Sequence, residues 1–140
     1  MSHSSTGRAC AVLAILSLFA SGCGNSRQLQ SVAVSPVTAN AQNFPNGQVQ
    51  FSATGTFSKP PSPQPLTAKD VTWCVATGAD TGVCAGNINK GAFVDTNGVA
   101  NCVANFSGTA TILAGQAIPS MNPDGGSQLR VFGKAQLICP

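Results

Sequence analysis

Ten residues, Gln48 to Phe57, alternate between polar and apolar or small side chains. Val49, Phe51, Ala53 and Phe57 fall on one side, and Gln48, Gln50, Ser52, Thr54 and Thr56 on the other. A half-buried strand of a sandwich requires that period of two, because successive strand side chains point to opposite faces.

A second stretch, Val71-Thr72-Trp73-Cys74-Val75-Ala76, organises the rest. It holds the only Trp of the chain, and Val71, Trp73 and Val75 share one strand face. A Trp in that setting is expected to fill the centre of a two-sheet core, since it buries a large apolar area with fixed geometry.

Around these, the chain reads as short strands and frequent turns. Leu29–Val34 is a strand stopped by Ser35-Pro36, and Asn40–Gly47 is rich in turn signals. Lys59–Pro65 carries four prolines and is expected to be a stiff exposed loop, because proline removes ladder donors. Gly78–Gly82 reads as a loop and Val83–Asn89 as irregular. Gly91–Val94 and Val99–Ala104 are strands joined by the turn Asp95-Thr96-Asn97-Gly98. Thr109–Ala114 alternates with Ala110, Ile112 and Ala114 inward. Gly115–Ser127 is predicted to be a long loop, and Leu129–Cys139 a last strand with an edge open to association. About seven short strands with regular turns predict an all-β sandwich. Composition agrees: charged residues make up 8% of the chain, against about 25% in ordinary soluble domains.

The first 22 residues read as an export signal. Met1–Arg8 is polar and ends in a positive charge, Ala11–Ala20 is apolar, and Ser21-Gly22-Cys23 supplies small residues and then a cysteine. The apolar run is too short to span a bilayer, which takes about 20 residues. Leu18-Phe19-Ala20-Ser21-Gly22-Cys23 resembles the lipobox of bacterial lipoproteins, with Ala20 where leucine is commonest. The resemblance implies that Cys23 becomes the first mature residue and carries acyl chains, palmitate among them. Gly24 after it, rather than Asp, points by the same resemblance to the outer membrane of a cell that has one. Residues 23–28 are then a lipidated Cys and short tether, and residues 29–140 one domain.

The order of motifs in that domain resembles a bacterial immunoglobulin-like domain of the second group. The matching stretches are Ser31–Pro36, Gly47–Phe57, Val71–Trp73, Val94–Gly98, Gly108–Ile112 and a final strand over Gly133–Ile138. The resemblance implies an immunoglobulin-like β-sandwich acting as a structural or adhesive module on a bacterial surface. Four cysteines, the segment Gly78–Lys90 and the stretch Gly115–Ser127 depart from the family pattern.

The chain has six cysteines. With Cys10 in the leader and Cys23 modified, Cys74, Cys84, Cys102 and Cys139 remain, an even set suited to disulfides in an exported protein. They allow three pairings. Alternation turns Cys74 outward beside the loop that carries Cys84, and turns Cys102 and Cys139 inward, which favours Cys74–Cys84 and Cys102–Cys139. A structural zinc site would call for closer-spaced ligand pairs.

Little chemistry is expected. The only His is His3, in the leader, and the side-chain carboxylates are Asp70, Asp80, Asp95 and Asp124. Without histidine a Ser or Cys nucleophile lacks its usual base. Asp95 and Asp124 sit in turn contexts where Asp bonds the backbone. No cofactor or metal is expected, and basic residues too scattered to make a patch argue against nucleic acid. The expectation is a non-catalytic envelope module held to a membrane by its lipid. The alternative is a glycan- or other ligand-binding module, for which Phe44 and Phe106 are the candidate exposed aromatics. The Pro-rich segment as a partner's ligand and Asn105-Phe106-Ser107 as a glycosylation acceptor are weaker signals.

Overall fold

The computed structural model describes residues 26–78, 81–85, 91–118 and 126–140. Strand β1 (Leu29–Ser35) buries Val32 and Val34 and stops at Pro36, which has no N–H to continue a ladder. The chain crosses to β2 (Thr38–Asn40) and passes through two 3₁₀ turns, Ala41–Asn43 and Pro45–Gly47. Then come β3 (Gln48–Gln50), β4 (Ser52–Phe57), β5 (Gln64–Leu66), β6 (Thr72–Val75), β7 (Ala92–Val94), β8 (Val99–Cys102), β9 (Gly108–Ile118) and β10 (Gln128–Cys139).

A four-stranded sheet in the order β2-β10-β9-β6 forms one layer, and two three-stranded sheets, β1-β4-β5 and β3-β8-β7, form the other. The core between them takes Val34, Val49, Phe51 and Ala100 from one side and Val75, Ile112, Ala114 and Leu137 from the other. The fold is an all-β, immunoglobulin-like sandwich. β6, β9 and β10 take the places of strands C, F and G, and β1, β3–β4, β8 and β7 those of A, B, E and D.

The described residues form ten strands where the sequence predicts about seven, and the differences have local causes. The alternating run Gln48–Phe57 is divided at Phe51. Its first half pairs with β8 and its second with β1, so one run of chain serves both sheets of its layer. Phe51 sits at the switch, where its N–H donates to the carbonyl of Gly98 at 2.9 Å. The Pro-rich loop ends in a short edge strand, β5, with Pro65 opposite Thr54, a place where a missing donor faces solvent. The last strand is not an edge: β2 pairs with it in parallel over Gln136–Ile138.

Trp73 does not occupy the core centre. It is partly buried, because β6 closes the edge of its sheet and has β9 as its sheet neighbour. The ring lies over the Asp95–Gly98 turn: a Cβ on Gly98 would come within 2.9 Å of it and 2.6 Å of the Phe51 carbonyl oxygen. Gly98 also has φ +83°, so the turn requires glycine twice over. The innermost large side chains are Phe51, Ile112, Leu113 and Leu137.

Gly115–Ile118 continues β9 rather than opening a loop. Here the β9–β10 hairpin pairs with more than itself. Val83 bridges to Gln128 and Ala76 to Cys84, so the segment around Cys84 ties the edge strand β6 to the start of β10. Ala76, Cys84, Leu113 and Leu129 make a second small core there, with Cys74 and Phe132 against it. The central strand β9 is therefore covered on both faces, which is why Ile112, Leu113 and Ala114 are all buried.

Candidate functional site

The four domain cysteines form two cross-links. Cys74–Cys84 has Cα atoms 5.5 Å apart and closes the second core. Cys102–Cys139 has Cα atoms 5.7 Å apart and joins β8 to the end of β10, across the two layers. These are the two pairings that strand phase favours. Cys23, the lipidation candidate, lies outside the described residues.

Both described carboxylates are committed to their own turns. Asp70 Oδ2 accepts from the Thr67 N–H at 2.8 Å and the Thr67 hydroxyl at 2.7 Å. Those bonds favour the charged form and hold its pKa below the ordinary carboxylate value, with smaller help from Arg27 and Lys69. Asp95 Oδ1 accepts from the N–H groups of Asn97 and Val99, each at 2.8 Å, which builds the β7–β8 turn. Asp80 and Asp124 lie outside the described residues. Among the described residues, no group of three or more His, Cys, Asp or Glu side chains comes together.

The candidate aromatics separate. Phe106 packs against the sandwich core, its ring filling the space beside Gly91. Phe44 stays 36% exposed. It rims a shallow hollow of about 190 Å³ with Gln42, Asn46, Asn101 and Pro140. The loop is shaped by Asn40, whose Oδ1 accepts from the Gln42 N–H at 3.0 Å. Phe93 is the aromatic that sequence reasoning missed: it is 56% exposed. Its neighbour Ala92 is buried, and the same alternation, carried through Gly91–Val94, turns Phe93 outward.

At the other end of the sandwich, where β1 begins, lies a polar cleft of about 450 Å³ lined by Ser26, Arg27, Gln28, Gln116, Arg130 and neighbours. Arg27 is held firmly there. Its Nε donates to the Lys59 carbonyl at 3.1 Å, and its Nη2 to Gln64 Oε1 at 2.8 Å and to the Pro61 carbonyl. The guanidinium also lies 3.5 Å above the Phe57 ring centroid. The exposed Pro-rich loop is thus fastened to the root of β1 by one side chain.

No protein-family model matches the chain, and no curated protein matches it.

Proposed function

We propose that the chain is a lipid-anchored protein of the bacterial envelope whose immunoglobulin-like domain is a non-catalytic structural, adhesion or protein-interaction module. One observation carries the reading. Cys74, Cys84, Cys102 and Cys139 are satisfied by one another, which leaves Cys23 without a partner among them. A lone thiol in an oxidising compartment is a liability unless it is modified, and Cys23 stands at the end of a lipobox-like sequence. Several acyl chains on it, at about 0.8 kcal/mol per buried methylene, would hold the protein firmly to a membrane. The non-catalytic part rests on side-chain chemistry: the chain beyond the leader has neither His nor Glu, and Asp70 and Asp95 are spent on turns.

Fractionation tests the anchor. The native chain is expected in the membrane fraction with an acylated Cys23, and Cys23→Ala is expected to block processing at that site. An unacylated native chain free of the membrane contradicts the reading.

The Phe44 hollow favours glycan binding as a second reading. A half-exposed ring beside three amide side chains offers stacking and hydrogen bonds together. A glycan array probed with the native chain and with Phe44→Ala decides it: binding abolished by the substitution supports it, and no binding rejects it.

A further inference from the structure

The cleft at the root of β1 owes its shape to a bulge in β10. Leu129 stands opposite Ala117 and Phe132 opposite Gly115, so Arg130 and Val131 together face the single residue Gln116. An extra residue bends a strand and re-aims the side chains beside it. Arg130 is exposed and donates from Nη2 to Gln116 Oε1 at 3.1 Å. Arg27, on the same cleft, is fixed by two carbonyls, an amide oxygen and a ring face. Every one of these partners is neutral. They orient the two guanidiniums without neutralising them, and the Asp70 carboxylate acts on Arg27 only as a smaller Coulombic influence.

Two oriented guanidiniums and the amide of Gln116 on one cleft are complementary to a tetrahedral oxyanion, which accepts from planar N–H pairs. We infer that this cleft binds a phosphate-bearing anion, with Arg130 as the main donor and Arg27 as the fixed one. The source of that phosphate depends on the lipid-anchor reading. Ser26 lines the cleft and is three residues after Cys23. A fully extended chain of that length reaches only about 10 Å, so in an acylated protein the cleft lies at the level of phospholipid headgroups.

The test uses the chain as cells make it, in a neutral detergent, with amide resonances of Gln116, Arg130 and Val131 followed by NMR. Three titrants are compared: a short-chain phosphatidylglycerol, a short-chain phosphatidylcholine and inorganic phosphate. Saturable shifts with the anionic lipid but not with inorganic phosphate support the site and name a headgroup as its ligand. Saturable shifts with inorganic phosphate support the site and name a free phosphate group. Arg130→Gln is expected to weaken binding about tenfold or more, while Lys134→Gln, elsewhere on the same strand, is expected to change it less than about twofold. Absence of saturable shifts with all three titrants, saturable shifts with the zwitterionic lipid equal to those with the anionic one and none with inorganic phosphate, or unchanged affinity in Arg130→Gln overturns the inference. The mass of the same sample reports acylation of Cys23 separately, and the phosphate titration does not depend on it.

Discussion

Gly115 in β9 lies directly beneath the backbone of Val131 in β10: a Cβ at Gly115 would come within 2.4 Å of the Val131 carbonyl oxygen. That carbonyl belongs to the bulge that faces Arg130 and Val131 to Gln116. Backbone cannot step aside as a flexible side chain can. Gly115→Ala is therefore expected to cost about 1–3 kcal/mol, read as a lower midpoint in chemical denaturation. It is also expected to move the amide resonances of Arg130 and Val131 more than those of β1. An unchanged midpoint would show that the bulge is not held at Gly115.

The two cross-links are expected to differ in worth. Cys102–Cys139 closes a sequence separation of 37 and Cys74–Cys84 one of 10. On the chain-entropy account each contributes about 2–4 kcal/mol, and the longer loop exceeds the shorter by about 1 kcal/mol. Paired substitution to alanine, with denaturation midpoints compared, checks the order. Equal losses would mean that packing in the second core around Cys84 offsets the loop-length difference.

Trp73 and Phe51 are expected to respond oppositely to what residue size suggests. Phe51 is 1% exposed at the junction of two sheets, and Phe51→Ala is expected to cost about 3–5 kcal/mol. Trp73→Phe, at a sheet edge, is expected to cost less than about 1.5 kcal/mol. The native Trp fluorescence should be partly accessible to iodide; full protection would restore Trp73 to the core centre.

Strand alternation made much of this legible. It placed Val49, Phe51 and Ala53 inward, put Cys74 and Cys102 on opposite faces, and so chose between three disulfide pairings. It could not reveal where one run passes from sheet to sheet, because Phe51 keeps the period of two through the switch. Nor does phase report lateral position, so Trp73 reads as central although β6 is an edge strand. Gly115 reads as a turn signal when it is the small residue a bulge needs, which hid four residues of β9. The run Thr111-Ile112-Leu113-Ala114 did carry a sign of the second core, since it is apolar on both faces. The cleft of Arg27 and Arg130 had no sequence signature at all: the two residues are far apart in the chain and line one cleft only in the folded domain.

Asp70 sets an acid limb of stability. Its folded pKa is lowered, chiefly by the Thr67 N–H and hydroxyl. Its stabilisation is therefore fully present above the unfolded carboxylate value and is lost as pH falls through the lower folded one. Denaturation midpoints taken from about pH 6 down to about pH 2 should fall less steeply for Asp70→Asn than for the native chain. Identical slopes would show that the Thr67 bonds do not favour the charged form.

The most direct test of the whole account is intact mass and non-reducing peptide mapping of the protein purified from the cells that make it. The expected result is a chain that begins at Cys23, bears acyl chains there, and contains the linked peptides Cys74–Cys84 and Cys102–Cys139. A chain with four free thiols, or one that begins unacylated at another residue, would contradict both the compartment and the role assigned here.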